Sequence, residues 1–237
     1  MPYKYFDRLM ALFVTVLLVS NIASSAKIVD WGISIFGIPL AFDAGTLLFP
    51  VSYIFGDVLT EVYGYRNSRR VIWTGFFCAL IMSATLWIVG KMPAESFWQE
   101  NVGQANFDAI LGGVSSGAIV LASLTAYWAG EFSNSYVLAR MKIITAGRWL
   151  WLRTIGSTLI GEGIDTLLFV SLAMFLKVPG FVPEIWLTLV VTNYLFKVAV
   201  EGLMTPVTYR IVNYLKHVEN EDYFDYETDF NPFRFRE

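Results

Sequence analysis

The chain has 237 residues, of which 56% are hydrophobic, 16% aromatic and only 16% charged. A soluble domain carries about 25% charged residues, so this composition excludes an ordinary water-soluble globule and indicates one lipid-embedded domain. The formal net charge of −3 decides little, because the position of each charge matters more than the sum.

Residue inventory narrows the chemistry further. The one cysteine, Cys78, lies in an apolar run and makes no intramolecular disulfide. The one histidine, His217, lies beyond the last apolar run, which leaves no ground for histidine-based metal or triad chemistry. There is no GxxxxGK[ST] phosphate loop and no HExxH helix. The expectation is therefore a protein that is not an enzyme, binds no cofactor or metal and has no nucleic-acid partner.

Hydropathy predicts an all-α membrane protein: a bundle of six transmembrane helices, kinked or interrupted, around a central cavity. The transport domain would span residues 1–216, followed by an acidic, soluble and disordered cytoplasmic tail over 217–237. Lys4 and Arg8 precede the apolar run from Leu9 to Ser20, which extends through Ile22 and Ala23. Ser24-Ser25-Ala26 resembles a small-residue cleavage site, but the length of the run favours a first span over a signal peptide. A short connection is expected over Gly32 to Gly37.

The second span is expected from Ile38 to Thr60, with Asp43 near its start, Pro50 in its middle, and Asp57 and Glu61 at its end. Proline removes one helical hydrogen bond, so Pro50 would either kink the span or break it beside a binding site. Asp57 and Glu61 share a face. They would line the cavity or a gate, or else pair with Arg66, Arg69 and Arg70. The third span, Val71 to Gly90, carries no charge. The mixed loop from Lys91 to Gly113 would hold a short interfacial helix around Phe97 and Trp98.

The fourth span, Ser115 to Leu138, places Glu131 and Asn134 one turn apart. The fifth, Leu152 to Phe175, is the most informative. It holds Glu162 and Asp165 on one helical face, with Gly156, Gly161 and Gly163 allowing close approach of a neighbouring helix or a flat ligand. Each buried carboxylate costs about 2.5–3.5 kcal/mol on insertion scales. Both must therefore face protein or water. Lys177 to Glu184 is a turn. The sixth span, Ile185 to Val207, puts Asn193, Lys197 and Glu201 on one stripe. Lys197 and Glu201 would either serve a ligand or form a self-contained pair that holds the bundle.

Lysine and arginine fall asymmetrically. Lys4, Arg8, Arg66, Arg69, Arg70, Arg140, Lys142, Arg148, Arg153, Arg210 and Lys216 share one side of a six-span topology, against Lys27, Lys91 and Lys177 on the other. The positive-inside rule then places both termini in the cytoplasm.

Several runs together resemble the queuosine precursor transporter family of small, vitamin-uptake-like inner-membrane proteins. They are Asn21 with Lys27 to Asp30, Phe49-Pro50 through Tyr63-Gly64, Gly130 to Tyr136, and Arg148 through Thr166. The resemblance extends to about Lys216 and leaves the tail out. It implies import of 7-deazaguanines, preQ0 or preQ1, across the inner membrane for queuosine in tRNA. Such a base would present an N–H edge to a carboxylate and stack on an aromatic ring. The site residues expected on that basis are Glu162, Asp165, Glu131, Asn134, Asn21, Asn193, Lys197 and Glu201, then Asp57 and Glu61, with Tyr53, Tyr127 and Tyr194 as stacking partners. The alternatives are a substrate-binding subunit of an energised vitamin-type importer or a non-transporting membrane scaffold. Oligomeric state, any energising partner and the coupling ion stay open.

Overall fold

The computed structural model describes residues 3–35, 38–178 and 181–234. Helix α1 (Phe6–Ala26) leads into an antiparallel two-stranded ribbon, β1 (Ile28–Ile35) and β2 (Ile38–Asp43), and then a single 3-10 turn, Ala44–Leu47. The long helix α2 (Phe49–Lys91) follows, then two short helices, α3 (Ser96–Asn101) and α4 (Gln104–Ser115). Three long helices close the bundle: α5 (Gly117–Ile144), α6 (Leu150–Phe175) and α7 (Pro183–Glu219). Among the described residues, five helical stretches are long and apolar enough to cross a membrane. The expected helical class holds, with the ribbon as an addition.

The second span departs from expectation at its start. Ile38 to Asp43 is extended, and Pro50 sits in the first turn of α2 rather than at mid-span. There its missing N–H costs nothing, because the first-turn N–H groups of a helix have no intrahelical partner. Pro50 therefore begins the helix and neither kinks nor interrupts it. The expected Gly32 to Gly37 connection is instead largely strand, Gly32 to Ile35 belonging to β1, while its Phe36-Gly37 and Pro179-Gly180 of the later turn lie outside the described residues. The interfacial helix is present as α3, where the Glu95 carboxylate accepts from the Phe97 and Trp98 N–H groups. Helix α4, however, is longer than the loop reading allowed.

The real break is at Gly64. Straight, α2 would run about 65 Å, twice the hydrocarbon thickness. Instead Gly64 adopts φ 80° and ψ 167°, dividing α2 into segments 49–63 and 65–91. The expected division between second and third spans thus falls on this glycine. A break strands backbone groups on both sides. The C-terminal tail satisfies them: Tyr223 N–H donates to the Val62 carbonyl at 3.2 Å, and both Asp225 oxygens accept the Tyr65 N–H at 3.1 Å. Asp225 is buried and acts as an acidic cap on segment 65–91.

This corrects the expectation of a disordered tail. Helix α7 continues to Glu219, past the expected end at Val207. Beyond it the chain lies on the bundle, where Arg69 donates to the Asp229 and Asn231 carbonyls and Tyr65 hydroxyl to the Phe230 carbonyl. The N-terminus joins the same end, since Lys4 and Tyr5 N–H groups donate to Glu219 at 2.8 and 2.6 Å. The core beneath is aromatic and aliphatic: Phe6, Phe13 and Leu17 of α1 pack with Val58, Val62 and Tyr63 of α2.

A Cβ at Gly64 would lie 2.3 Å from the Tyr223 ring, besides requiring a backbone conformation that is nearly glycine-specific. Gly64→Ala is expected to destabilise the protein by about 1–3 kcal/mol or more and to free the tail. Thermal unfolding in detergent and protease cleavage near residue 223 would measure both effects.

Candidate functional site

Two buried polar layers sit on the same helices. Along α2, Tyr53, Asp57 and Glu61 recur every four residues, so their side chains stack about 6 Å apart on one face. Glu61 belongs to the layer at the end that carries both termini. Tyr53 and Asp57 face the mid-span layer.

In the first layer Glu61, fully buried, is the shared acceptor. Its carboxylate meets Arg153 Nη2 of α6 at 2.8 Å and Lys216 Nζ of α7 at 2.7 Å, with Lys142 Nζ of α5 at 3.6 Å. Lys142 also donates to the Glu61 backbone carbonyl at 2.5 Å and to the Tyr223 carbonyl at 2.7 Å. Asp222 of the tail then bridges Lys142 at 2.6 Å and Lys216 at 2.7 Å. Burial alone would raise the Asp222 carboxyl, but the hydrogen bonds from Lys142 and Lys216 outweigh it and hold the carboxyl below the usual aspartate range. A lowered folded-state value means that its stabilisation is full above the ordinary aspartate pKa and is lost as pH falls through the lowered one.

Glu61 is thus ion-paired, but not with the arginines that follow it in sequence. Arg66, Arg69 and Arg70 lie beyond the Gly64 break, while Arg153, Lys142 and Lys216 arrive from other helices. Glu61 accordingly ties α2 to α5, α6 and α7.

The mid-span layer is built on a close helix crossing. A Cβ at Gly130 of α5 would lie 3.1 Å from the Gly161 carbonyl, and one at Gly161 of α6 would lie 3.0 Å from the Gly130 carbonyl. The two backbones therefore touch, which brings Glu131 and Asn134 alongside Glu162 and Asp165. Lys197 of α7 closes the group, its Nζ 2.6 Å from Asp165 Oδ2 and 2.8 Å from Glu162 Oε2. The same ammonium lies 5.9 Å from the Tyr53 ring centroid. Lys197 therefore pairs across helices, and the self-contained Lys197–Glu201 pair is not what forms.

Asp57 accepts a hydrogen bond from Asn134 Nδ2 at 2.7 Å. Around it lie buried acceptors with no donor among the described residues: Asp57 Oδ2, Asn134 Oδ1, Glu131 Oε2 and both Glu201 oxygens. An unmet buried polar group costs about 1–3 kcal/mol, more if charged. This concentration of acceptors on three helices, α2, α5 and α7, is the distinctive chemistry of the layer. It suits a donor-rich guest, or protons held on the carboxyls.

Other expected residues fall elsewhere. Asn21 donates to the Leu17 carbonyl and accepts from Ser123, and Asn193 donates to the Leu189 carbonyl. Tyr127 hydroxyl donates to the Ile72 carbonyl, among α1 and α2 side chains rather than the carboxylates. Tyr194 lies beside Gly163, its hydroxyl on the Leu159 carbonyl. Sequence reasoning missed the roles of Arg153, Lys142 and Lys216. Their signal in the sequence is a set of cations at the ends of apolar runs, which by itself marks only orientation.

Residues 43–211 match the sequence profile of a family described as "Putative vitamin uptake transporter". A "Probable queuosine precursor transporter" of Bacillus subtilis (strain 168) is 28% identical over 211 residues, covering 87% of this chain and 85% of that protein. The "Queuosine precursor transporter" of Escherichia coli (strain K12) is 27% identical over 179 residues, covering 76% of this chain and 75% of that protein. No solved structure matches the chain.

Removing the Glu61 charge leaves Arg153, Lys142 and Lys216 facing one another with only Asp222 between them. Glu61→Gln is expected to cost about 3–5 kcal/mol, the range for breaking a buried ion pair from one side. Glu61→Asp should cost less. Equilibrium unfolding in detergent would rank the three proteins.

Proposed function

The chain belongs to the vitamin uptake transporter family, alongside relatives named queuosine precursor transporters, and from that membership we propose that it imports 7-deazaguanine bases, preQ0 or preQ1, for tRNA queuosine salvage. It is a multi-pass membrane protein of a transporter family, not an enzyme. The proposed setting is the bacterial inner membrane, with both termini in the cytoplasm, as the distribution of lysine and arginine favours.

The observation that carries the substrate class is the set of buried acceptors lacking donors beside the Lys197 ion triad. A deazaguanine edge offers an amide-like N–H and an amino group, the donors such a set needs. Its carbonyl needs a donor in return, which Lys197 can give. Charge-assisted hydrogen bonds of this kind contribute about 1.5–3 kcal/mol each. In this reading Glu162 and Asp165 take the ring edge or the aminomethyl cation of preQ1. Glu131, Asn134, Asp57 and Glu201 complete a central cavity, and Tyr53 stacks on the ring. Asn21 and Asn193 are proposed only for its rim.

The Lys197 triad also supplies a switch. While Lys197 holds both Asp165 and Glu162, both carboxylates are engaged within the protein and its one positive charge offsets one of their two negative charges. A cationic or N–H-rich guest competes for the same oxygens, so its arrival and the release of Lys197 are coupled. That coupling is differential binding between two arrangements, which any ligand-driven change of conformation requires.

Uptake of labelled preQ1 in cells lacking de novo synthesis tests the assignment. Glu162→Gln, Asp165→Asn and Lys197→Met are each expected to lower uptake by about 10–100-fold, which corresponds to one charge-assisted hydrogen bond. Membrane abundance is to be checked alongside. Normal uptake in all three would remove these residues from the path. Flux into liposomes holding the purified chain alone would separate a self-sufficient carrier from a subunit that binds without transporting.

A further inference from the structure

Helices α2, α5, α6 and α7 close a four-helix ring, in which α2 packs on α5 and α7, and so does α6. The inward direction of α6 follows from its glycines. Gly161 meets the backbone of α5, and Gly163 lies beside Tyr194 of α7. Glu162, between them, points into the ring. Thr158 and Thr166 stand four residues to either side of it. Each is turned only about 40° from the Glu162 direction and lies about 6 Å along the helix axis, one on each side of the carboxylate.

A hydroxyl inside a helix commonly donates to the carbonyl one turn back. Thr154 and Ser157 of α6 do so at 3.2 and 3.0 Å, and Thr205 of α7 does so at 3.0 Å. Thr158 and Thr166 do not. They are 1% and 3% exposed, and neither Oγ1 has a hydrogen-bond partner among the described residues. The inward face of α6 therefore reads hydroxyl, carboxylate, hydroxyl. In hydrogen-bonding terms that is a donor, two acceptors and a donor.

We propose that Thr158 and Thr166 determine specificity for a guanine-type edge, one hydroxyl donating to the carbonyl oxygen of the base and the other to the ring nitrogen beyond its amino group. This rests on the deazaguanine reading and deepens it. The edge of such a base runs carbonyl oxygen, N–H, amino group, ring nitrogen. That order is acceptor, donor, donor, acceptor, the complement of the α6 face. Glu162 takes the two central donors in a bidentate manner, and the hydroxyls meet the outer acceptors. A carbonyl oxygen has two lone pairs, so it accepts from a hydroxyl and from Lys197 together. Carboxylates alone would accept any guest rich in N–H groups. The flanking hydroxyls narrow the class, because a guest lacking an outer acceptor leaves a buried hydroxyl unpaired.

The test uses the full chain purified in a mild detergent, with labelled preQ1 as the probe. Bound label is displaced by 7-deazaguanine, and separately by the analogue in which the outer ring nitrogen is a C–H group. The unaltered protein should prefer 7-deazaguanine by about tenfold, the worth of one buried hydrogen bond. Thr158→Val and Thr166→Val should each weaken preQ1 binding by about tenfold, and one of the two should also lose the preference between the competitors. Thr158→Ser and Thr166→Ser keep the hydroxyl and should keep the binding. The melting temperature without ligand should stay level or rise in the valine variants, because no hydrogen bond is lost; a purely structural role would lower it. Unchanged preQ1 binding in both valine variants overturns the proposal, as does a competitor preference that both retain. So does a loss of binding that comes with a lowered melting temperature and is shared by the serine variants. If the unaltered protein binds no deazaguanine, the transport reading falls and takes this assignment with it. Binding that survives both valine substitutions removes the hydroxyls alone.

Discussion

One buried carboxylate, Glu61, joins α2 to α5, α6 and α7 through Lys142, Arg153 and Lys216. In hydrocarbon a single unpaired charge is costly, and three cations around one acceptor would be more so. The geometry is tolerable because Asp222 of the tail adds a second carboxylate. Three residues later α2 breaks at Gly64, and the same tail satisfies the stranded backbone groups through Tyr223 and Asp225. The ion tie, the helix break and the tail are therefore one device. Each of its parts would be unfavourable alone.

That closed end contrasts with the layer one and two turns deeper. There the pairing is incomplete: Lys197 serves Asp165 and Glu162, while Asp57, Glu131, Asn134 and Glu201 keep acceptor atoms unmatched. A bundle tuned only for stability would fill such a layer with apolar side chains, which is often neutral or favourable compared with a buried ion pair. The contrast between a saturated layer and one undersaturated among the described residues, carried on the same four helices, is the physical basis for proposing a ligand site in the deeper of the two.

Much of this was legible in the chain itself. Glu162 and Asp165 in an apolar run had to meet a partner, and they do. Glu131 with Asn134, and Lys197 with them, were picked out by the same cost of burying charge. Partner choice is what the sequence leaves open. Helical spacing offers Lys197 either a ligand or Glu201, and the structure sets it against the cross-helix carboxylates Asp165 and Glu162. Proximity in sequence offers Glu61 either the cavity or Arg66, Arg69 and Arg70, yet a positive-φ glycine turns those arginines away. Pro50 follows apolar residues and so suggests a mid-span kink or break, though those residues form a strand and a 3-10 turn ahead of the helix. The tail lacks periodicity, which suggests disorder, but it is ordered by backbone hydrogen bonds and single capping side chains, which leave no periodic trace.

The sequence alone determined the solvent: a charge-poor, aromatic-rich chain with long apolar runs must be a membrane bundle, because burying backbone in lipid requires helices. It also determined which polar residues would be expensive, since that cost depends only on residue type and depth. Tertiary structure alone decided who pairs with whom. Partner choice depends on distances between helices that meet from residues 32 to 155 positions apart in the chain, and on the backbone contact of Gly130 with Gly161 that sets those distances. No local pattern encodes such separations, because they are a property of the packed bundle and not of any one helix.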